Sequence, residues 1–160
     1  MILIINICNE KLHYFEFVKP IEDILIKNKI KFETKHYKKI TKNDLEKASK
    51  IIICGTSLKD NEFLKHIDNF NWIKNFNKPI LGICGGMHIL GLIYDGKIQK
   101  NKQIGLIDNE YHLHHYLVNS NEFTYSKNKN QMKHKSKPFQ GILFHPEVRN
   151  KEIIEEFMRD

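Results

Sequence analysis

The chain has 160 residues, of which 41% are hydrophobic and 28% charged, and this predicts one domain, residues 1–160, around one core. The net charge of +7 comes mainly from scattered lysines, which argues against a nucleic-acid binder, where basic residues cluster with aromatic ones. No apolar run reaches the roughly 18 residues that span a bilayer, and the start of the chain lacks signal-peptide features, so we expect a cytoplasmic protein without a membrane segment.

The first half of the chain alternates short apolar runs with segments of helical spacing. In chain order the pattern predicts a strand at 1–8, a helix at 21–29 opened by Pro20, a weaker strand at 31–36, a capped helix start at 41–46, a strand at 51–54, helical spacing at 61–70, an apolar run at 79–84 and a buried helix at 87–93. Such alternation predicts a parallel sheet with helices on both faces.

The second half has a different pattern. Short extended runs at 113–118 and 122–126 are separated by turns rich in Asn, Ser and Lys, and 119–136 is polar and expected to be exposed. Residues 151–159 predict a closing helix. We therefore expect an α/β fold with an open, mostly parallel sheet, to which antiparallel strands are added in the C-terminal half.

The strongest local motif is Gly82-Ile-Cys-Gly-Gly86, which stands between an apolar strand and an apolar helix. The chain has three cysteines and no Cys-x-x-Cys pair, so a disulfide framework or zinc knuckle is not expected. A nucleophile on a sharp strand-to-helix turn needs small neighbours, and the turn aims the following N–H groups at the same place. Cys84 is therefore a candidate nucleophile, although a buried Cys that only packs in a Gly-rich turn fits the motif as well.

A second motif, Phe144-His-Pro-Glu147, follows further along the chain. Side chains two residues apart on an extended segment point the same way, so Glu147 is placed to orient the imidazole of His145. A thiol needs a base to form the thiolate and an acid to protonate the departing amine, and one oriented imidazole can do both. Taken alone, the motif is also compatible with a surface His-Pro turn.

Together the two motifs resemble the signature of class I glutamine amidotransferases, Gly-x-Cys-x-Gly followed by His-Pro-Glu. The resemblance covers most of the chain and is closest to the separate glutaminase subunit of archaeal GMP synthase, with the stretch 132–148 matching well. It implies a flavodoxin-like fold and hydrolysis of glutamine by Cys84, His145 and Glu147, without a cofactor or metal. It also implies an oxyanion held by the N–H of Gly85 and by an N–H of the loop that contains Gly55 and Thr56.

The chain departs from this family at three positions. Thr56 stands where the family usually has the second Gly of Ser-Gly-Gly-Pro, and a residue with a side chain resists some backbone turns. His88 stands where many members have a substrate-contacting Gln, which allows for a different amide or γ-glutamyl substrate. Leu113 replaces a Ser beside His114, which falls in a substrate-binding segment of the family.

The run of histidines at 112, 114 and 115 also permits a metal hypothesis, since His112 and His114 share one face of a strand. No neighbouring carboxylate or thiolate is expected to complete such a site, so no metal is predicted.

Three functions remain open at this stage. In the first, the chain is a glutaminase subunit that passes ammonia to a separate ATP-dependent synthetase, since no Walker-type phosphate loop is present. In the second, it is a stand-alone hydrolase of an amide or γ-glutamyl bond. In the third, it is a non-catalytic regulatory relative that keeps the triad without an oxyanion hole.

Overall fold

A computed structural model describes residues 1–159 of the chain. Within that range the strands are β1 (Ile2–Asn6), β2 (Phe32–His36), β3 (Lys50–Ile53), β4 (Ile80–Ile83), β5 (Lys97–Ile107), β6 (Glu110–Asn119), β7 (Phe123–Tyr125), β8 (Gln131–His134) and β9 (Phe139–Ile142). The helical segments are α1 (Lys11–His13), a π-helical turn (Tyr14–Val18), α2 (Lys19–Lys27), α3 (Lys42–Lys47), α4 (Gly85–Ile93), α5 (Lys151–Arg159) and 3₁₀ helices at Tyr37–Lys39 and Glu62–Asn75.

Seven strands form one sheet in the order β2-β1-β3-β4-β9-β8-β7, and β5 and β6 pair with each other as a separate antiparallel hairpin. The strands β2, β1, β3, β4 and β9 run parallel to one another. β8 pairs antiparallel with β9, and β7 pairs antiparallel with β8. The predicted fold class is therefore confirmed. Residues 119–136 are less exposed than expected, because β7 and β8 lie there and bury Phe123 and Met132.

Alternation along the central strands explains the two-sided core. Ile5 and Ile53 face a cluster that includes side chains of α4 and of the Glu62–Asn75 helix. Ile4 and Ile52 point to the opposite face, where they pack with side chains of α2 and α5. Because successive strand residues point to opposite faces, a continuous apolar strand is stable only when helices cover both sides.

Pro20 lies in the first turn of α2, as predicted, but helical backbone is already present before it. Helical backbone begins at Lys11 and runs through the π-helical turn directly into α2. A proline lacks the N–H of a regular helix, and its ring clashes with the carbonyl four residues earlier. The wider turn just before Pro20, in which the Lys19 N–H donates to the Tyr14 carbonyl, accommodates the ring within one helical stretch.

Other helix predictions hold with shifted bounds. The Thr41 side chain accepts a hydrogen bond from the Asp44 N–H, and the Asp44 carboxylate accepts one from the Thr41 N–H, so the predicted cap is confirmed. The segment predicted from helical spacing at 61–70 is a 3₁₀ helix that continues to Asn75, with a kink at His66. The closing helix α5 occupies the predicted residues. None of the helices described across residues 1–159 is long and apolar enough to cross a bilayer.

Candidate active site

Cys84 occupies the sharp turn between β4 and α4, at the carboxyl end of the sheet. Its backbone has φ 48° and ψ −102°, a conformation rare for a residue with a side chain. Its N–H donates to the Ile142 carbonyl at 2.6 Å, and its carbonyl accepts from the His88 N–H at the start of α4. Gly86 is required beside it, since a Cβ there would lie 2.3 Å from the Ile53 carbonyl oxygen. The predicted elbow is therefore present, with a positive φ at the nucleophile candidate.

His145 and Glu147 lie in the turn that follows β9. The His145 Nδ1 and the Glu147 Oε1 are 2.7 Å apart, and both side chains are fully buried. The His145 N–H donates to the Tyr111 carbonyl of β6, and the ring packs against Phe17. Its other ring nitrogen, Nε2, makes no hydrogen bond within the described part of the chain. With Nδ1 held by a carboxylate, Nε2 is the nitrogen that is free to exchange a proton.

The side chains of His145 and Cys84 both pack against Gly55. A Cβ built on Gly55 would lie 2.7 Å from His145 Cε1 and 3.1 Å from the Cβ of Cys84. Both side chains therefore pack on the same glycine, one from the turn after β9 and the other from the turn after β4. Any larger residue at this position would push the two apart.

The electrostatic environment favours a protonated His145. Burial is the largest effect and lowers the pKa of the imidazole, but the charges of Glu147 and Cys84 together outweigh it. The net result is a pKa of His145 raised well above its ordinary value. An imidazole in this state can hold the proton of a thiol and later release it to a leaving group.

Thr56 does not distort the loop that carries Gly55. Neither residue has a positive φ, so the Thr side chain meets no backbone conformation that only Gly adopts easily. The Thr56 hydroxyl is buried and donates to the Asp60 carboxylate at 3.1 Å. The loop therefore does not require a second glycine, and the hydrogen bond from Thr56 to Asp60 holds it in place.

His88 lies on α4, one turn beyond Cys84, and is buried. Its Nε2 donates to the Tyr116 carbonyl of β6 at 2.9 Å, and burial lowers the pKa of His88 to about 4. The imidazole is thus neutral at ordinary pH and presents no charge to a substrate. The residue lines the cavity beside Cys84, as expected, but its Nε2–H is already used by the protein.

His114 lies on β6, and its side chain faces into the hairpin. Its Nδ1 lies 3.1 Å from the Asn101 carbonyl, and burial lowers the pKa of His114 to about 4. His114, Leu113 and Thr56 line the same cavity as Cys84 and Gly85. All the predicted oxyanion and substrate-binding positions except Gly55 therefore line one cavity, and Gly55 lies directly beneath it against Cys84 and His145.

The cavity is narrow in this structure. Its volume is about 20 Å³, which is space for roughly one water molecule. The Cys84 thiol donates to the Leu113 carbonyl at 3.5 Å, so β6 lies directly over the sulfur. A substrate of amino-acid size therefore requires the β5–β6 hairpin to move.

The paired histidines form a hydrogen-bonded chain. His112 Nδ1 lies 3.1 Å from His114 Nε2, and His112 Nε2 lies 3.2 Å from Glu110 Oε2. β6 also places Glu110 on the same face two residues before His112. Even so, no group of three or more potential metal ligands with a suitable arrangement occurs in residues 1–159.

Sequence reasoning missed the contribution of Asp60. Its buried carboxylate accepts hydrogen bonds from the N–H groups of Asn9 and Glu10 and from the Thr56 hydroxyl, and contacts His13 Nδ1 at 2.7 Å. A signal was available, since a carboxylate four residues after a polar loop residue is within reach of its hydroxyl. The partners on the β1 side are set by tertiary contacts, which local patterns do not reveal.

Comparisons with known proteins concern the fold and the family of the chain. The family profile "Glutamine amidotransferase class-I" matches residues 13–160. A solved structure from Thermoplasma acidophilum, thought to be part of a GMP synthase, is 18% identical and has a TM-score of 0.81; the match covers 99% of this chain and 92% of that one. A glutamine amidotransferase from Thermotoga maritima is 19% identical, with a TM-score of 0.67, 99% of this chain covered and 82% of the other.

A glutamine amidotransferase from Methylobacillus flagellatus is 13% identical, with a TM-score of 0.63 and coverage of 98% and 73%. No curated protein matches the chain. The likeness to solved structures establishes the fold, and the family profile covers nearly the whole sequence. The chain belongs to the class-I glutamine amidotransferase family.

Proposed function

We propose that the chain is a glutaminase subunit that releases ammonia from glutamine for a separate ATP-dependent synthetase. The proposal rests on the packing around Gly55. Cys84, which has a positive φ, and the buried imidazole of His145 both contact this glycine, and Glu147 holds the Nδ1 of His145. The partner synthetase determines which molecule accepts the ammonia. GMP synthase is the first synthetase to test, because the structure from Thermoplasma acidophilum is thought to be part of that enzyme.

In the proposed reaction the Cys84 sulfur attacks the side-chain amide carbon of glutamine and its proton passes to His145 Nε2. The carbonyl oxygen becomes an oxyanion, held by the N–H of Gly85 and an N–H of the Gly55–Thr56 segment. His145 then protonates the nitrogen, ammonia leaves and a glutamyl thioester forms. Water, deprotonated by His145, attacks the thioester carbon, and glutamate leaves as the thiol is restored.

The narrow cavity supports activity that depends on a partner. A space for about one water excludes glutamine until the hairpin over Cys84 moves, and docking of a synthetase is one source of the required free energy. On this proposal the isolated chain hydrolyses glutamine slowly, and the rate rises when the correct synthetase binds. A glutaminase whose cavity stays narrow when alone also avoids wasting glutamine.

The test is a glutaminase assay of the chain alone and with candidate synthetases, GMP synthase first. We expect release of glutamate and ammonia that increases with the partner, covalent labelling of Cys84 by a diazoketone analogue of glutamine, and loss of both in Cys84→Ala with the fold intact by circular dichroism. Turnover without a partner and with preference for another γ-glutamyl compound would instead support the stand-alone hydrolase. Failure of the label to modify Cys84 with every partner would leave the non-catalytic hypothesis.

A further inference from the structure

The loop after β3 is tied to the loop after β1 by buried hydrogen bonds. Asp60 is 5% exposed, and its carboxylate accepts from the N–H groups of Asn9 and Glu10 at 2.9 and 3.2 Å. The same carboxylate accepts from the Thr56 hydroxyl at 3.1 Å and lies 2.7 Å from His13 Nδ1. A carboxylate with this many donors holds each of them in place, because hydrogen bonds to a charged acceptor are stronger than neutral ones.

A second contact fixes the orientation of the peptide between Gly55 and Thr56. The Cys8 thiol donates to the Gly55 carbonyl at 3.7 Å. Burial is the main reason that the pKa of Cys8 is raised to about 12, so the thiol keeps its proton and remains a donor. A thiol is a weak donor, but this carbonyl and the sulfur are both buried, where an unpaired carbonyl would be costly.

The sheet order then decides where the other end of this peptide points. In the sheet β3 lies between β1, which leads to Cys8, and β4, which leads to Cys84. The described chain contains no cis peptide bond, so the Gly55 carbonyl and the Thr56 N–H point in opposite directions. With the carbonyl turned toward Cys8, the Thr56 N–H faces away from Cys8, and Thr56 and Cys84 line the same cavity.

We propose that Asp60 and Cys8 are positioning residues that hold the Thr56 N–H facing Cys84 as a preformed oxyanion donor. The inference rests on the proposed function and identifies which N–H of the loop acts and what holds it. It also assigns a role to Thr56, because the hydrogen bond from its hydroxyl to Asp60 is the contact through which Asp60 holds the loop. The oxyanion donor on this loop is then in place before a partner binds, and only the hairpin has to open.

The test compares variants that remove one link each. Thr56→Val keeps the shape and β-branching of the side chain but removes the hydroxyl, and Asp60→Asn keeps the shape but removes the charge. Asp68→Asn is the matched control, since it makes the same chemical change at an exposed position of the following helix. Thr56→Ser, which restores a hydroxyl, is expected to recover most of what Thr56→Val loses.

Three measurements separate positioning from a purely structural role. The first is kcat and KM for glutamine in the presence of the active synthetase, where we expect a fall in kcat of roughly 10- to 100-fold with KM little changed. The second is the rate at which iodoacetamide alkylates Cys84, followed by mass spectrometry of that peptide. Alkylation forms no oxyanion, so this rate should stay close to that of the unaltered chain. The third is the amide ¹⁵N–¹H resonance of Thr56, which should shift in Asp60→Asn and stay in place in the control Asp68→Asn.

The outcomes are distinct. An unchanged kcat in Thr56→Val and Asp60→Asn overturns the positioning role, and so does an equal fall in kcat and alkylation, which would show general damage to the site. If the unaltered chain hydrolyses no glutamine with any synthetase, the proposed function fails. The Thr56 resonance still tests the positioning in that case, because an unchanged amide signal in Asp60→Asn means that Asp60 does not hold the loop.

Discussion

The contact between Gly55 and His145 predicts the effect of one methyl group. Gly55→Ala would place a Cβ 2.7 Å from His145 Cε1, whereas ordinary contact begins near 3.4 Å. The ring cannot yield freely, because it is fully buried, hydrogen-bonded to Glu147 and packed against Phe17. Either the ring or the loop must shift by several tenths of an ångström, and displacements approaching 1 Å at a catalytic group cost about 100-fold in rate.

We therefore expect Gly55→Ala to lower kcat by about 100-fold and the free energy of unfolding by about 1–3 kcal/mol, the usual cost of overpacking. Gly141→Ala is the matched control. Its Cβ would also meet an atom at 2.7 Å, but that atom belongs to the flexible side chain of Met87. We expect this variant to retain kcat with a smaller loss of stability. Glutaminase assays and urea unfolding of both variants check the reasoning, and full activity in Gly55→Ala would refute it.

Three further predictions concern charged and titratable groups. Glu147→Gln should lower kcat by about 10³- to 10⁴-fold, because His145 loses the carboxylate that fixes its tautomer; a near-normal rate would remove Glu147 from the mechanism. The pKa of His88 is about 4 in the folded state and about 6.5 when unfolded, so the unfolded chain binds the extra proton and stability falls as pH drops from 6.5 to 4, by up to about 3 kcal/mol for this residue. His88→Gln should flatten this slope in urea unfolding across that range, and an unchanged slope would contradict the assignment. Lys35→Met should lower the urea midpoint at pH 7, because Lys35 holds the pKa of Asp44 at about 2, below its unfolded value of 3.8. The difference in midpoint between this variant and the unaltered chain should vanish as pH falls from 3.8 to 2, because Asp44 then loses its charge. A difference that persists below pH 2 would exclude the ion pair as its cause.

The sequence by itself determined the features that depend on short stretches of chain. The turn at Cys84 is specified by its small neighbours and by the apolar strand and helix on either side, so its conformation follows from local sterics. The pairing of Glu147 with His145 was predicted from an extended segment, but the two residues lie in a turn closed by the Val148 N–H and the His145 carbonyl, and the turn brings them together instead. The mostly parallel sheet follows from apolar runs that alternate with helical ones.

Local sequence patterns were least informative where a segment is held in place by residues that are distant in the sequence. The doubt raised by Thr56 concerned its own backbone, and nothing near it in sequence indicated that the N–H groups of residues 9 and 10 share its acceptor, Asp60. The π-helical turn before Pro20 is a similar case, since the sequence predicted α2 but not the helical residues that precede it.

Only the tertiary structure decided the state of the site. Cys84 and Leu113 are 29 positions apart, and it is the fold of the β5–β6 hairpin that brings a carbonyl over the sulfur and narrows the cavity. The same hairpin supplies the carbonyl that occupies His88. Contacts of this kind depend on the relative placement of whole elements, which packing fixes and residue spacing does not. The sequence thus identified the nucleophile candidate and its partner, and the fold determined that both lie buried beneath a hairpin.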